Sequence, residues 1–302
     1  MGKLDGFDYI KPNDIEEACK IMAQEGKSIK PFAGGTDLMV QMRAGKIKPE
    51  LLMDIKGLRL DKIQYLPENK ISIGALSTIN SIIESELIRS KFPFIIEAAE
   101  EMASVQIRNR GTVGGNLCNA APSADLAQPI LATGGIAKVV GENGSREMDL
   151  DDFFIGPGKT ALSSKEILTE IILDELPEYS GTAYIRLKRN AMDLALAGVA
   201  TVVTIDEEGK CISAKIVLGA VGPTPIIAEE AANSLIETKL DKLAIEKAAS
   251  IAEDLSKPID DVRTNAWYRK KAVKNLTIKA LELANRRAAE QLNANTKGGQ
   301  TI

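Results

Sequence analysis

"ASVQIRNRGTVGGNLCNAAPSADLAQP", Ala103 to Pro129, carries neither a helical nor a strand period. It gathers Arg108, Arg110, Asn109, Asn119, Asp125 and the pair Gly114-Gly115 into one run. So much main-chain freedom beside small polar side chains suits a backbone that wraps a ligand. Within it, "GTVGGN" (Gly111, Thr112, Val113, Gly114, Gly115, Asn116) offers clustered N–H donors, a hydroxyl and a side-chain amide. A tight loop would explain that stretch taken alone. A second one resembles it, "PFAGGTDL": Pro31, Phe32, Ala33, Gly34, Gly35, Thr36, Asp37 and Leu38. There a strand ends in a Gly-Gly turn that can aim several amides at one anion. Two such loops, far apart in sequence, would hold the two phosphates of a dinucleotide without a basic cluster. Asp125 suits a ribose hydroxyl, since a carboxylate accepts hydrogen bonds, or it charges the N-terminus of the helix that follows.

Two phosphate-loop signatures are absent. Neither stretch has the spacing G-x-G-x-x-G. "GPGKT" ends like a Walker A loop, but Phe153 stands where the first glycine must be. Lys159 in that turn reaches an anion or simply solvent. Arg186, Lys188 and Arg189 before an apolar strand either face an anionic ligand or solvate the strand end. Arg108 and Arg110, two apart, share a face if the segment is extended.

Composition excludes whole classes of chemistry. The 302 residues contain no histidine, which removes His-based triads, metal sites and proton shuttles. Three scattered cysteines, Cys19, Cys118 and Cys211, fit a reducing compartment and cannot supply four thiolates to a cluster. A redox role would therefore need an organic carrier. The net charge of −4 argues against nucleic acid, and no apolar run is long enough for a membrane span. "MGKLDGFDYIKP" has no apolar signal core and no good myristoylation site, which predicts a cytoplasmic protein.

Along the chain, residues 8–55 read as a βαβ unit, its helix capped by Asn13 with Glu16 following and stopped at Gly26. Residues 56–176 give a strand pair, helices broken near Pro93 with Thr78 or Ser77 as cap, the glycine-rich stretch, a short helix, a hairpin at Asn143-Gly144 and a strand over "EILTEIIL". Residues 177–290 give three strands and helices. The tail 291–302 has no apolar period and reads as disordered.

In this order, "AGGTDL", "IGALSTI", "QIRNRGTVGGNLCNAAPSADL", "GPGKTAL" with "EIL", "RNAMDLALAGVA" and "LGAVGPTPI" resemble the FAD-binding subunit of the molybdenum hydroxylases, the family of bacterial xanthine dehydrogenase and the carbon monoxide dehydrogenase medium subunit. The likeness covers nearly the whole chain. It implies an α+β protein. An FAD-binding domain of the vanillyl-alcohol-oxidase (PCMH) type would span 1–176, with α/β subdomains of about 1–55 and 56–176. A C-terminal domain over 177–290 would carry a three-stranded antiparallel sheet and helices.

For the site, the resemblance places Pro31–Leu38 and Gly111–Asn116 around the pyrophosphate, Asp125 at the ribose, and Ile167 and Leu168 on the adenine side. Met102 and Leu194 fall where relatives carry residues against the flavin ring. A lysine role passes to Arg186 or Lys188. It further implies a heterotrimer in which a molybdopterin-binding large subunit oxidises the substrate and a [2Fe–2S] small subunit relays electrons. FAD would pass them to NAD+ or another acceptor, with no acid–base catalyst on this chain. "NAMD" and "GPGK" look closest to the xanthine dehydrogenase branch. The alternative is an assembly subunit that has kept the fold and lost flavin, for which the aliphatic Met102 and Leu194 leave room. A self-sufficient flavin oxidase would need a base that a histidine-free chain does not offer, and three cysteines argue against the four-cysteine loop of the hydroxybenzoyl-CoA reductase type.

Overall fold

The computed structural model describes residues 6–24 and 28–298. Two compact units divide the chain: residues 1–85, 104–120 and 135–173 form one, and 86–103, 121–134 and 174–302 the other. The segments 86–103 and 121–134, which the sequence pattern groups with the first domain, thus pack with the C-terminal part. Several crossings fall on left-handed residues: Ala103 at φ 42, Ala120 at φ 44 and Gly134 at φ 80.

In the first unit, strands Asp8–Ile10, Leu51–Asp54 and Ile29–Phe32 make a parallel sheet with Leu51–Asp54 in the middle. All four residues of that middle strand are buried, as parallel sheets require. Helix Ile15–Met22 lays Ala18, Ile21 and Met22 against Leu51, Met53 and Ile55. Its cap is one residue later than the sequence suggests. Asp14, extended at φ −148, accepts the Glu17 N–H at 2.8 Å, while the Glu17 carboxylate takes the Asn13 N–H. The expected stop, Gly26, lies outside the described residues.

A five-stranded sheet follows in the order Ile63–Leu66, Lys70–Gly74, Ile167–Asp174, Ile136–Gly141, Gly144–Asp149. Its hairpin turns at Gly144, φ 107. Thr78 caps helix Ile79–Glu84. The stretch that lacked a period is not a loop. It contains helices Val105–Arg108 and Val113–Asn119, too short for a hydrophobic repeat to register.

The second unit is built on an antiparallel sheet of Ser180–Leu187, Ala197–Ile205, Cys211–Gly219 and Ile226–Ile227. The expected three strands are joined by a fourth of two residues, below the length at which alternation can be read. Strand Ala197–Ile205 is buried at all nine positions. Helices Glu229–Asn233, Lys242–Leu255 and Ala266–Gly298 share one apolar core with the sheet.

The tail is corrected too. Residues 291–298, expected to be disordered, continue the last helix, because a docked helix needs no new nucleus to extend. Residues 299–302 lie outside the described residues. Among the described residues no helix is long and apolar enough to cross a membrane.

Helix Ala266–Gly298 approaches its sheet through a glycine. A Cβ at Gly181 would lie 1.8 Å from the Ala284 carbonyl oxygen. We expect Gly181→Ala to force helix and strand apart and to lower unfolding free energy by about 2 kcal/mol in a denaturant titration.

Candidate functional site

The candidate residues fall in both units. In the first, Pro31 and Phe32 end an edge strand of the parallel sheet and the chain turns at once through Ala33 to Asp37 into helix Leu38–Arg43. Gly35 takes φ 75. The N–H groups of Gly34, Gly35, Thr36 and Asp37 have no acceptor among the described residues. Four neighbouring free donors at the carboxyl end of a parallel strand have the form of an anion nest. Burial pushes the Asp37 carboxyl up, with a hydrogen bond from Thr36 opposing it.

Gly34 has a second duty. A Cβ there would sit 1.9 Å from the Arg110 carbonyl oxygen. The nest therefore packs directly on the second glycine stretch, with the Thr36 hydroxyl 3.7 Å from where a Gly111 Cβ would stand. The two glycine stretches thus meet.

The second loop's donors, however, correct that reading. Val113 N–H bonds the Ser77 carbonyl at 2.9 Å and Gly114 N–H the Ala75 carbonyl at 2.8 Å. Gly115 N–H bonds Thr112 Oγ1 at 3.0 Å and Asn116 N–H the Thr112 carbonyl at 2.9 Å. These amides hold the protein together. Gly114 is glycine because a Cβ would strike Ala75 at 2.7 Å. What remains open is the Asn116 side chain, whose Oδ1 is buried with no partner. Such an orphaned acceptor costs about 1–3 kcal/mol unless a ligand meets it. The residues fit a diphosphate-bearing cofactor in different ways: the first stretch offers main-chain donors to the phosphates, while Asn116 Oδ1, an acceptor, suits a hydroxyl or N–H donor of the cofactor rather than a phosphate oxygen.

Elsewhere in this unit Lys159 is exposed on a two-strand hairpin whose Gly158 N–H binds the Ala120 carbonyl at 2.9 Å. Ile167 and Leu168 begin the central strand of the five-stranded sheet and are 3% and 5% exposed. Ile167 packs with Met53, Ile55 and Leu76.

In the second unit Asp125, Arg186 and Lys188 come together, though not as a free ligand shell. Asp125 Oδ1 accepts the Tyr184 hydroxyl at 2.7 Å and Oδ2 meets Arg186 Nη1 at 2.5 Å. Arg186 also donates to the Glu101 carbonyl, and Lys188 binds the Glu101 carboxylate and the Ala191 carbonyl. Burial pushes the Asp125 carboxyl up, and the Arg186 charge with the Tyr184 and Arg186 hydrogen bonds opposes it. Burial and the Asp125 charge hold the Tyr184 phenol well above its ordinary range, so it remains a neutral donor.

The Arg186 side chain is 2% exposed and that of Lys188 27%. Of the two, Lys188 is the cation within reach of a ligand. Both border a cavity of about 350 Å³ whose wall includes Glu97, Glu100 and Glu101. Met102 follows helix Pro93–Glu101 as its C-cap, and Leu194 stands 58% exposed in the segment leading to strand Ala197–Ile205.

Sequence reasoning missed Tyr184 and Glu101 as partners of Asp125, Arg186 and Lys188. It also missed Lys56, whose ammonium lies 3.9 Å from the centroid of the Phe32 ring. The only trace of it was a lysine after the strand in "MDIKG".

Comparison with known proteins shows the family. Residues 5–175 match the model of the FAD binding domain in molybdopterin dehydrogenase, and 182–284 that of the CO dehydrogenase flavoprotein C-terminal domain. The chain belongs to that family. The carbon monoxide dehydrogenase medium chain of Afipia carboxidovorans is 36% identical over 93% of this chain and 98% of its own. A xanthine dehydrogenase FAD-binding subunit of Escherichia coli O157:H7 is 28% identical over 93% and 97%. The fold matches reconstituted CO dehydrogenase from Oligotropha carboxidovorans at a TM-score of 0.91 and 35% identity, covering 94% of this chain and 99% of that one. The protein is thus an FAD-carrying medium subunit of the molybdenum hydroxylase type, the flavoprotein component of an oxidoreductase.

Two measurements probe the second unit's charges. Asp125→Asn removes the nearer of the two carboxylates beside the buried Arg186 guanidinium, leaving Glu101 at 3.4 Å, and is expected to cost about 3 kcal/mol in equilibrium unfolding. Burial pushes the Glu101 carboxyl up, but Lys188 and Arg186 outweigh it and hold it below the usual range. Hydrogen bonds from Arg263 and Arg269 hold Asp261 low as well. A depressed carboxyl contributes stability that is present above its unfolded pKa and lost as pH falls through the folded value. The melting temperature should therefore fall as pH drops below about 4.

Proposed function

We propose that this chain binds one FAD, with its diphosphate on the Gly34–Asp37 nest, and moves electrons between a [2Fe–2S] partner and NAD+ or another acceptor. The observation that carries this is the set of free amides packed against the Gly111 turn in the unit that holds the orphaned Asn116 acceptor. Bound FAD supplies a carrier that takes single electrons on one side and gives pairs on the other. The residues of this chain bind and orient it and perform no proton transfer, which suits a protein without histidine.

Of the named site residues, we assign Pro31–Leu38, Gly111, Thr112 and Asn116 to the diphosphate region. Ile167 and Leu168 remain on the adenine side, Ile167 as part of the wall's packed core, and the exposed Lys159 is free to reach an anion or solvent. Asp125 and Arg186 act as the fixed support from which Lys188, Met102 and Leu194 are presented.

The partners we infer are a molybdopterin-binding large subunit and a [2Fe–2S] small subunit in a heterotrimer, because the similar proteins are named as medium chains or FAD subunits. The chain is more similar to the carbon monoxide dehydrogenase subunit than to the xanthine dehydrogenase one, 36% against 28%, so the substrate is left to the large subunit's chemistry. A cytoplasmic location belongs to the same reading, supported by three free cysteines.

Purified protein should be yellow and bind FAD at a one-to-one ratio. Asn116→Ala separates function from folding. It removes an unsatisfied buried acceptor, so the apo protein should gain up to about 1 kcal/mol while FAD affinity falls about tenfold. A colourless chain that ignores FAD in titration would overturn the reading.

A further inference from the structure

Tyr9, Asp54 and Lys56 belong to no group assigned so far. Asp54 ends the middle strand of the parallel sheet and is 6% exposed. Its carboxylate accepts the Tyr9 hydroxyl, the Lys56 N–H at 3.0 Å and the Lys56 ammonium at 2.7 Å. Those contacts fix the ammonium over the Phe32 ring, 3.9 Å from its centroid. The ring in turn fills the space beside Gly35, where a Cβ would come within 2.3 Å of Phe32 Cε2. Gly35, at φ 75, is the left-handed residue of the nest. A chain of direct contacts thus runs from Tyr9 through Asp54, Lys56 and Phe32 to the turn that carries the free amides.

Lys56 is not itself a phosphate ligand in this arrangement. Its charge is neutralised at 2.7 Å by Asp54, so it brings no net positive field to the nest. What it brings is a fixed ring. Phe32 is the last residue of its strand and half-buried, and a cation over its face restricts the ring. We propose that Lys56, held by Asp54 and Tyr9, is a positioning residue that sets the Phe32 ring and, through it, the direction of the Gly34–Asp37 amides toward the diphosphate. The proposal rests on the flavin reading above and adds the part of the chain that shapes that site.

The test uses the full chain with FAD as the probe. Lys56→Met keeps most of the stem and removes the cation, and Lys56→Arg restores it. FAD affinity is read from flavin fluorescence, the diphosphate environment from the ³¹P resonances of bound FAD, and the apo fold from thermal unfolding. Lys56→Met should bind FAD about 3- to 30-fold more weakly, the range a cation–π contact supports, with displaced ³¹P resonances. Lys56→Arg should recover both. Tyr9→Phe, a change at a half-exposed side chain that keeps the fold, should move both in the same direction by less. Wild-type ³¹P positions in Lys56→Met and Tyr9→Phe would overturn the proposal, whether or not melting falls, because a purely structural role lowers melting alone. If the wild-type chain itself binds no FAD, the flavin reading fails first. If it binds FAD and the variants bind it identically, only this inference fails.

Discussion

The first unit depends on one close approach of main chain to main chain. Gly34 lies so near the Arg110 carbonyl that any side chain would enter the oxygen's volume. This contact joins a turn after the second strand to a turn some seventy-five residues later. Around it the second turn is locked from several sides. Ile79 N–H bonds the Gly111 carbonyl at 3.0 Å, Thr78 and Thr112 face each other across an isolated bridge, and each caps its own helix. The nest is therefore built on a rigid floor, and its donors stay unpaired because the floor gives them no acceptor. A flexible loop would fold back and satisfy them; this one is held open.

How far the sequence could be read follows from the same contact. "PFAGGTDL" was legible because a Gly-Gly after an apolar strand announces both a turn and exposed amides. "GTVGGN" carries the same signal with the opposite content. Its glycines let a helix approach the Ala75 main chain, and its amides are taken by Ser77, Ala75 and Thr112. Composition shows that N–H groups are clustered but not whether a carbonyl waits for them. That carbonyl comes from "GALST", a stretch read as a strand end and a cap. The same limit hid the two-residue strand Ile226–Ile227 and the last turns of the final helix, whose existence depends on what precedes them.

In the second unit the illegible part is electrostatic. Asp125, Tyr184, Arg186, Glu101 and Lys188 are spread over three sequence segments, and none has a motif that names its partner. Read singly, Asp125 looks like a hydrogen-bond acceptor for a sugar and Arg186 like an anion ligand. Once buried together they satisfy each other, because neither charge can be taken from water alone. Burial turns two apparent ligand residues into a fixed frame and leaves Lys188 as the exposed cation of the set.

This contrast gives a physical criterion for which polar groups are meant for a ligand. Unpartnered buried atoms are not enough. Ser77 Oγ, Gln128 Oε1 and Thr277 Oγ1 are orphaned as well as Asn116 Oδ1. A lone hydroxyl can rotate toward a weak acceptor, and Gln128 is pressed onto Gly219, where a Cβ would lie 1.9 Å from its Nε2, so packing explains its posture. What packing does not explain is several main-chain donors in succession, in a turn braced by glycines on both sides. Main-chain amides cannot rotate away, and leaving them together unpaired is stable only when an anion or solvent meets them. That is why the nest, rather than any single orphan, marks where this fold offers donors to an anion.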